Sequence, residues 1–510
     1  MTSARRVGWR GAGLVAATAV VALLLGGCHR LAFRAADQAD QLEVEREEAA
    51  GVQAPPGFRA VVVAEGLTYP SSIDWDDQGR LYVLESHSVP IPGMKPRVFR
   101  VDGGDITPVD WSGEHAPSGE VAVGLTFHDG WLYVSHEQAD GSWGISRFRP
   151  AGGTVEPVVR GLPPLGDHWI NYLAFDRRGD LYFGVGSATN SGVVASADPV
   201  NQKWLEVRPA ARDLPCRDLV LTGASFTDAN GLTSDPDDRA ITGAYQAYGQ
   251  AGAERLPAEP WCTSSIYRLR RGGAKPELVA WGFRNPVALA FAPDGDLLVG
   301  MHGADVRGTR PVANDPDAIY RVRQGAWYGW PDYSAALRPL TDAAYQPPQE
   351  HLAQGHRSVG FVIDHAASGL TAPDRRLLVA VTEPHAALGG MVVVPRGGPF
   401  GRWSGQLLLP QMGDFRPVTD PVNPDERAGF DVVAIDLATG KLASFLRNRG
   451  DGDPQPASEL DLENGLERPV DVKIGPDGLV YVLDFGVFER GARVLPKTGK
   501  VFRVEPVPRR

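Results

Sequence analysis

Few residues in this chain have both the type and the spacing to do chemistry. Asp167-His168 pairs a carboxylate with an imidazole, a side chain suited by its ordinary pKa near 6.5 to take a hydroxyl proton at neutral pH. Arg284-Asn285 sets a fixed guanidinium, which stabilises a developing oxyanion, beside an amide donor. Other chemistries lack their signatures. There is no Gly-Lys-Ser/Thr phosphate loop, no Gly-x-Gly-x-x-Gly, no His-Glu-x-x-His and no Cys-x-x-Cys. Three acidic clusters, Asp74/Asp76/Asp77, Asp235/Asp237/Asp238 and Gly450-Asp451-Gly452-Asp453, fall where turns are expected and are read as turn residues.

The three cysteines divide into one and two. Arg5, Arg6 and Arg10 precede an apolar run over residues 14–25, too short to span a bilayer that needs about 20 helical residues. The run ends Leu25-Gly26-Gly27-Cys28, which resembles a bacterial lipoprotein box. Residues 1–27 are therefore expected to be a signal peptide and Cys28 a lipidation site, anchoring an exported chain to the periplasmic face of the cell envelope. An ordinary signal peptide with a chance cysteine is the alternative, and Arg5-Arg6 leaves a twin-arginine export route open. Cys216 and Cys262 remain, an even number in an oxidising compartment, and are expected to form a disulfide, with two buried thiols as the alternative.

The elements that must position these residues are read from composition and repeats. Of 510 residues, 60 are Gly and 42 are Pro, which leaves little room for long helices, and 43% hydrophobic content excludes disorder. Net charge is -11, and -14 from residue 28 onward once the three early arginines are set aside, so nucleic acid is not an expected partner. Residues 28–56, rich in Ala, Gln and acids and ending Pro55-Pro56, read as an acidic tether.

From residue 57 a Gly-x-Leu-Tyr-Val module recurs at Gly79, Gly130, Gly179, Gly295, Gly405 and Gly478. A second module, an apolar residue beside an aromatic and an arginine, recurs at Val98-Phe99-Arg100, Ile145 to Arg149, Ile266-Tyr267-Arg268, Ile319-Tyr320-Arg321 and Val501-Phe502-Arg503. Six hits predict an all-β, six-bladed β-propeller over residues 57–508, with residues 58–64 pairing 499–504 to close the ring. The repeat glycines are spaced 51, 49, 116, 110 and 73 residues apart. The two long intervals predict loop insertions on one face, one of them at about 205–262 and the other over residues 302–365.

Gly282-Phe283-Arg284-Asn285-Pro286, His302-Gly303, Asp317 to Val322 and Gly325-Ala326-Trp327-Tyr328-Gly329-Trp330-Pro331 together resemble the glucose/sorbosone dehydrogenase family. Asp167-His168 matches that family's Asp-His in order and spacing, Gly184 to Asn190 is similar to its sorbosone and pyranose dehydrogenase branch, and Arg468-Pro469-Val470-Asp471-Val472 resembles its last block. The resemblance implies a six-bladed propeller that uses pyrroloquinoline quinone (PQQ) and calcium to oxidise a sugar or sugar-derived alcohol or aldehyde and passes electrons to an acceptor. It makes His168 the base, Asp167 a substrate or orienting contact, and Arg284 and Asn285 the groups that polarise the quinone. It makes Arg468 and Arg416 contacts of the cofactor carboxylates, and the carbonyls of Gly303 and Ala304 calcium ligands. Two departures stand out: the family's Asp-Glu pair is Asp317-Ala318 here, and its glutamine near Gly119-Glu120 has no counterpart. They favour a non-catalytic carbohydrate- or protein-binding propeller of this family; a calcium-dependent lactonase-type hydrolase is a third, weaker alternative. Trp327, Tyr328 and Trp330 are expected to pack between blades.

Overall fold

The structure is a computed structural model, and it describes residues 49–508 apart from 87–93, 164–165, 451, 453 and 490–492. Cys28 and the signal peptide expected over residues 1–27 lie outside the described residues. Six antiparallel sheets follow one another along the chain. Blade one is Pro70–Trp75, Leu81–Glu85, Arg97–Asp102 and Asp105–Val109, from the central axis outward. Blade two is Ala122–His128, Trp131–Glu137, Trp143–Phe148 and Glu156–Leu162, and blade three is Ile170–Phe175, Leu181–Val185, Ser265–Leu269 and Glu277–Trp281. Blade four is Asn285–Phe291, Leu297–His302, Pro316–Arg321 and Leu378–Pro384. Blade five is Val392–Val393, Leu407–Gln411, Asp431–Ile435 and Leu442–Asn448.

Blade six is made from both ends of the body: Pro469–Ile474, Val480–Asp484 and Gly499–Pro506, with Phe58–Leu67 as its outer strand. Ala60 faces Val504 and Phe58 faces Pro506, so the expected closure is present. Every repeat glycine sits in the hairpin before a second strand, and all six have φ between +74° and +91°. A side chain is strained in that left-handed region, which is why the module begins with glycine. Polar ties cross the axis where the innermost strands converge: the Tyr172 hydroxyl of blade three lies 2.8 Å from the carbonyl of Ser71 and 2.6 Å from that of Val470.

One expectation is corrected. The segment read as tether, 28–56, ends earlier, because Ala49 is buried and Val52–Gln53 pairs with Asn448 and Arg447 as a fifth strand of blade five. Val52 satisfies an apolar site there, against Val394 and Phe400, that a solvated tether would leave open.

Both long intervals hold folded segments, with bounds that differ from those expected: 186–264 in place of about 205–262, and 303–315 with 322–377 in place of 302–365, because Pro316–Arg321 is the third strand of blade four. Residues 186–264 leave the second strand of blade three, form the helix Pro199–Leu205, and carry the Cys216–Cys262 disulfide. The excursion after Arg321 climbs the outer strand of blade three, where Trp281 bridges Trp327, and then meets the first insertion at the Leu221–Ile363 bridge. Arg310, whose side chain is 1% exposed, ties the two: it donates to the carbonyls of Ser191, Pro331 and Gly360 and pairs with Asp332 at 2.9 Å. Trp327, Tyr328 and Trp330 are buried as expected, with Trp327 stacked on Trp281. Among the described residues no helix is long and apolar enough to cross a membrane.

Candidate functional site

Antiparallel pairing puts the start of each innermost strand and the end of its second strand at the same edge of the blade. His168, Arg284 and Arg468 stand one or two residues before innermost strands, and Gly303, Ala304 and Arg416 follow second strands, so topology alone gathers them on one face.

His168 is buried in the wall of blade three. Its Nδ1 lies 2.9 Å from the Ser187 carbonyl and 3.0 Å from the Ser187 hydroxyl, which itself donates to the Thr189 carbonyl. A carbonyl only accepts, so Nδ1 carries the proton and Nε2 carries the lone pair. Nε2 makes no hydrogen bond among the described residues. Burial, then the cations of Arg284 and Arg307, hold this imidazole well below its ordinary pKa, which keeps it neutral and able to accept a proton. Gly186 makes the packing possible, since a Cβ there would come within 2.4 Å of the His168 Cβ.

Arg284 lies across the blade boundary. It donates through Nε to the Asn190 carbonyl at 3.0 Å and through Nη2 to the Asn190 side chain at 2.9 Å and to Asp305 at 2.8 Å. Nη1 has no hydrogen-bond partner among the described residues, leaving one edge of the guanidinium for a ligand. Asp305 also accepts from Arg307 at 2.9 Å. Burial opposes the charge of Asp305, but these two arginines hold its carboxyl well below the usual range.

Gly303 and Ala304 are held from behind. Their amides donate to Asp317 at 2.8 Å and Asp315 at 2.7 Å, while neither carbonyl accepts a hydrogen bond among the described residues. No residue larger than glycine fits at 303, where a Cβ would lie 2.3 Å from the Pro316 carbonyl oxygen. Two unclaimed carbonyl oxygens in a pinned loop suit a hard cation such as calcium. Ala318 points into an apolar cluster with Phe283, Met301 and Tyr320, so the family's glutamate would have no place in this packing.

Four expected contacts are placed differently. Asp167 is no open contact: its side chain is 0% exposed, and it accepts from Asn201 at 2.8 Å, Trp204 at 2.7 Å and Arg307 at 2.7 Å. It belongs to the wall that carries His168. Asn285 is engaged between blades, accepting from Asn171 and donating to His302, whose other nitrogen bonds the Leu388 carbonyl. Arg468 is caged by Phe415, Phe430 and Phe488 and donates to the carbonyls of Gly413 and Asp414; burial pulls it down to about 10. Arg416 turns to Glu426 at 3.3 Å and approaches Asp420 at 3.6 Å. Through Asp420 and His385 it joins the cluster, because His385 lies 3.7 Å from Asp420 and 3.4 Å from Asp305.

The disulfide lies behind the same wall. Thr263, next to Cys262, donates to Asp213, which also accepts from the Ala188 amide and the Thr189 hydroxyl, the segment that holds Ser187 and hence His168. The residues that sequence reasoning did not reach are Arg307 and Arg310. Their one visible signal is the Asp-x-Arg-x-x-Arg run from Asp305 to Arg310 just after His302-Gly303.

A cavity of about 300 Å³ opens beside the cluster, lined by Asp198, Arg307, Gly308, Pro311, Pro417 and Pro421. A larger cleft of about 510 Å³, lined by Trp131, Tyr133, Phe175 and Arg271, lies at the opposite edge of blades two and three, among hairpin turns. It contains none of the residues above. Among the described residues no three His, Cys, Asp or Glu side chains gather to hold a metal.

No protein-family model and no curated protein matches the sequence. Solved structures do match the fold. A carbohydrate-active enzyme of family AA12 from Trichoderma reesei aligns with a TM-score of 0.51 at 15% identity, over 90% of this chain and 98% of that one. The holo form of the pyranose dehydrogenase PQQ domain from Coprinopsis cinerea aligns with a TM-score of 0.50 at 14% identity, over 90% and 97%. The six-bladed propeller of this chain is thus the fold of these two proteins.

Proposed function

We propose that this chain is a PQQ-dependent dehydrogenase that oxidises a sugar or sugar-derived alcohol or aldehyde, with His168 as the base. The observation that carries the reading is the fixed tautomer of His168, with Nδ1 committed to Ser187 and Nε2 unshared, in a residue at the same edge of the blades as Arg284, Gly303 and Ala304. The residues present fit the quinone and calcium at that end of the site. The free edge of Arg284 would hold a quinone oxygen and the two carbonyls would hold calcium; when bound, the quinone supplies the two-electron acceptor and calcium its Lewis acid.

The chain's own residues do the rest. Nε2 of His168 accepts the proton of the substrate hydroxyl, and the Ser187 carbonyl, bonded to Nδ1–H, stabilises the imidazolium that results. Arg284, fixed by Asn190 and Asp305, needs no reorganisation as negative charge develops beside it. An electron acceptor and anchoring through Cys28 at the periplasmic face complete the reading.

The test is reconstitution of the purified protein with PQQ and calcium, followed by dye-linked activity on a panel of sugars and by His168→Gln. We expect turnover in the wild type, a loss of about 10²- to 10⁴-fold in kcat for H168Q, and unchanged cofactor binding by absorbance. The second reading, a non-catalytic carbohydrate- or protein-binding propeller, draws on the commitment of Asn285 and Arg468 to protein partners. Absence of both cofactor binding and turnover would overturn the first reading in favour of this one.

A further inference from the structure

The guanidinium of Arg307 makes one contact per nitrogen, each with a different aspartate. Nη2 takes Asp167 at 2.7 Å, Nη1 takes Asp198 at 2.8 Å and Nε takes Asp305 at 2.9 Å. The three carboxylates belong to three separate pieces of chain. Asp167 stands in the segment entering blade three, Asp198 is the N-cap of the helix Pro199–Leu205 in the first insertion, and Asp305 follows the second strand of blade four. We propose that Arg307 is the positioning residue of this site, fixing through Asp167 the segment that carries His168; this rests on the reading of His168 as the base.

Three observations support the assignment. The side chains are buried, 7% exposed for Arg307, 0% for Asp167 and 1% for Asp198, so water screens the contacts little. Asp305 has a second arginine in Arg284, whereas Arg307 is the one cation paired with Asp167 and Asp198 among the described residues. Removing it leaves two buried carboxylates without countercharge, a loss that breaking a buried pair makes costly. Burial opposes the charge of Arg307, but the three carboxylates hold it well above its ordinary value, so it stays a cation at every working pH.

The arginine also acts across space. The charged groups that face His168 are Arg284, Arg307 and Asp305, with Asp167 beside it in the chain. Taking away Arg307 removes a cation that disfavours protonated His168, and the Asp167 carboxyl, already pushed up by burial, loses the cation that holds it down. Lysine keeps the charge but cannot present three diverging donors in a plane, so R307K separates charge from geometry.

The experiment uses the full chain without cofactor, with histidine labelled at Cε1, and follows its 11 histidines by NMR from pH 8 to pH 4.5. His168→Gln assigns the signal. We expect the wild-type His168 midpoint below its ordinary value, a rise of about one pH unit or more in R307M, and a midpoint near wild type in R307K. In the dye-linked assay R307K should lose about 10- to 100-fold in kcat with KM little changed. R307M/D198N, which removes one carboxylate with the cation, serves if R307M does not fold. An unmoved His168 midpoint in a folded R307M, or in the double variant, overturns the proposal. A moved midpoint with no wild-type turnover leaves Arg307 as the organiser of this wall and refutes the base reading alone.

Discussion

Deleting residues 499–510 should unfold the whole body, not blade six alone. The deletion removes Gly499–Pro506, which pairs on one side with Phe58–Leu67 and on the other with Val480–Asp484. Its Val501, Phe502 and Val504 are each 0% exposed. At about 1.5–3 kcal/mol for each fully buried side chain, these three alone contribute about 5–9 kcal/mol, before any ladder hydrogen bond is counted. That sum is comparable to the whole stability of a typical domain, about 5–15 kcal/mol. The outer strand Phe58–Leu67 also loses its only ladder partner among the described residues, and the ring is left with open edges. Urea unfolding followed by circular dichroism and by tryptophan fluorescence, with size-exclusion chromatography beside it, reads the result. A truncated protein that stays monomeric and keeps a single transition at the wild-type midpoint would show that the ring does not depend on this closure.

Three further outcomes are expected. Cys28→Ala should move the protein from the membrane to the soluble fraction on cell fractionation, and a variant that stays membrane-bound removes the lipid-anchor reading. Cys216→Ser/Cys262→Ser should cost about 4 kcal/mol on the chain-entropy estimate for a separation of 46 residues, and limited proteolysis should then cut within 186–264 first; unchanged melting and cleavage would sink this. His136, on the second strand of blade two, is fully buried and its pKa is pulled down to about 4, chiefly by burial. Below pH 6.5 the unfolded chain takes up a proton that the native state refuses, so stability is full above pH 6.5 and falls by about 3 kcal/mol on the way to pH 4. His136→Gln should flatten that part of the pH–stability curve measured by urea unfolding, and an identical slope in both proteins contradicts the assignment.

Much of the fold was legible because a propeller repeats its local physics. Six glycines forced into left-handed hairpin turns announced six second strands, and five aromatic–arginine modules fell on third strands. The third strand of blade five, Asp431–Ile435, lacks that module, and its innermost strand, Val392–Val393, is too short to leave a pattern. The tether boundary is not legible in the sequence because Val52 stands alone among Ala, Gly and Gln, and only its partner on Leu442–Asn448 makes it a strand.

The sequence by itself determined the fold class, the ring closure and the presence of two long insertions, since these follow from the repeat and from turn chemistry. Only the tertiary structure decided what each polar group is free to do. Asp167 and Arg307 are 140 residues apart, and Arg284 and Asn190 are 94 apart. Whether a buried carboxylate faces a ligand or an arginine depends on which side chain of a distant segment reaches it first, within a few ångströms. That is a matter of packing between blades and insertions, and no local pattern encodes it.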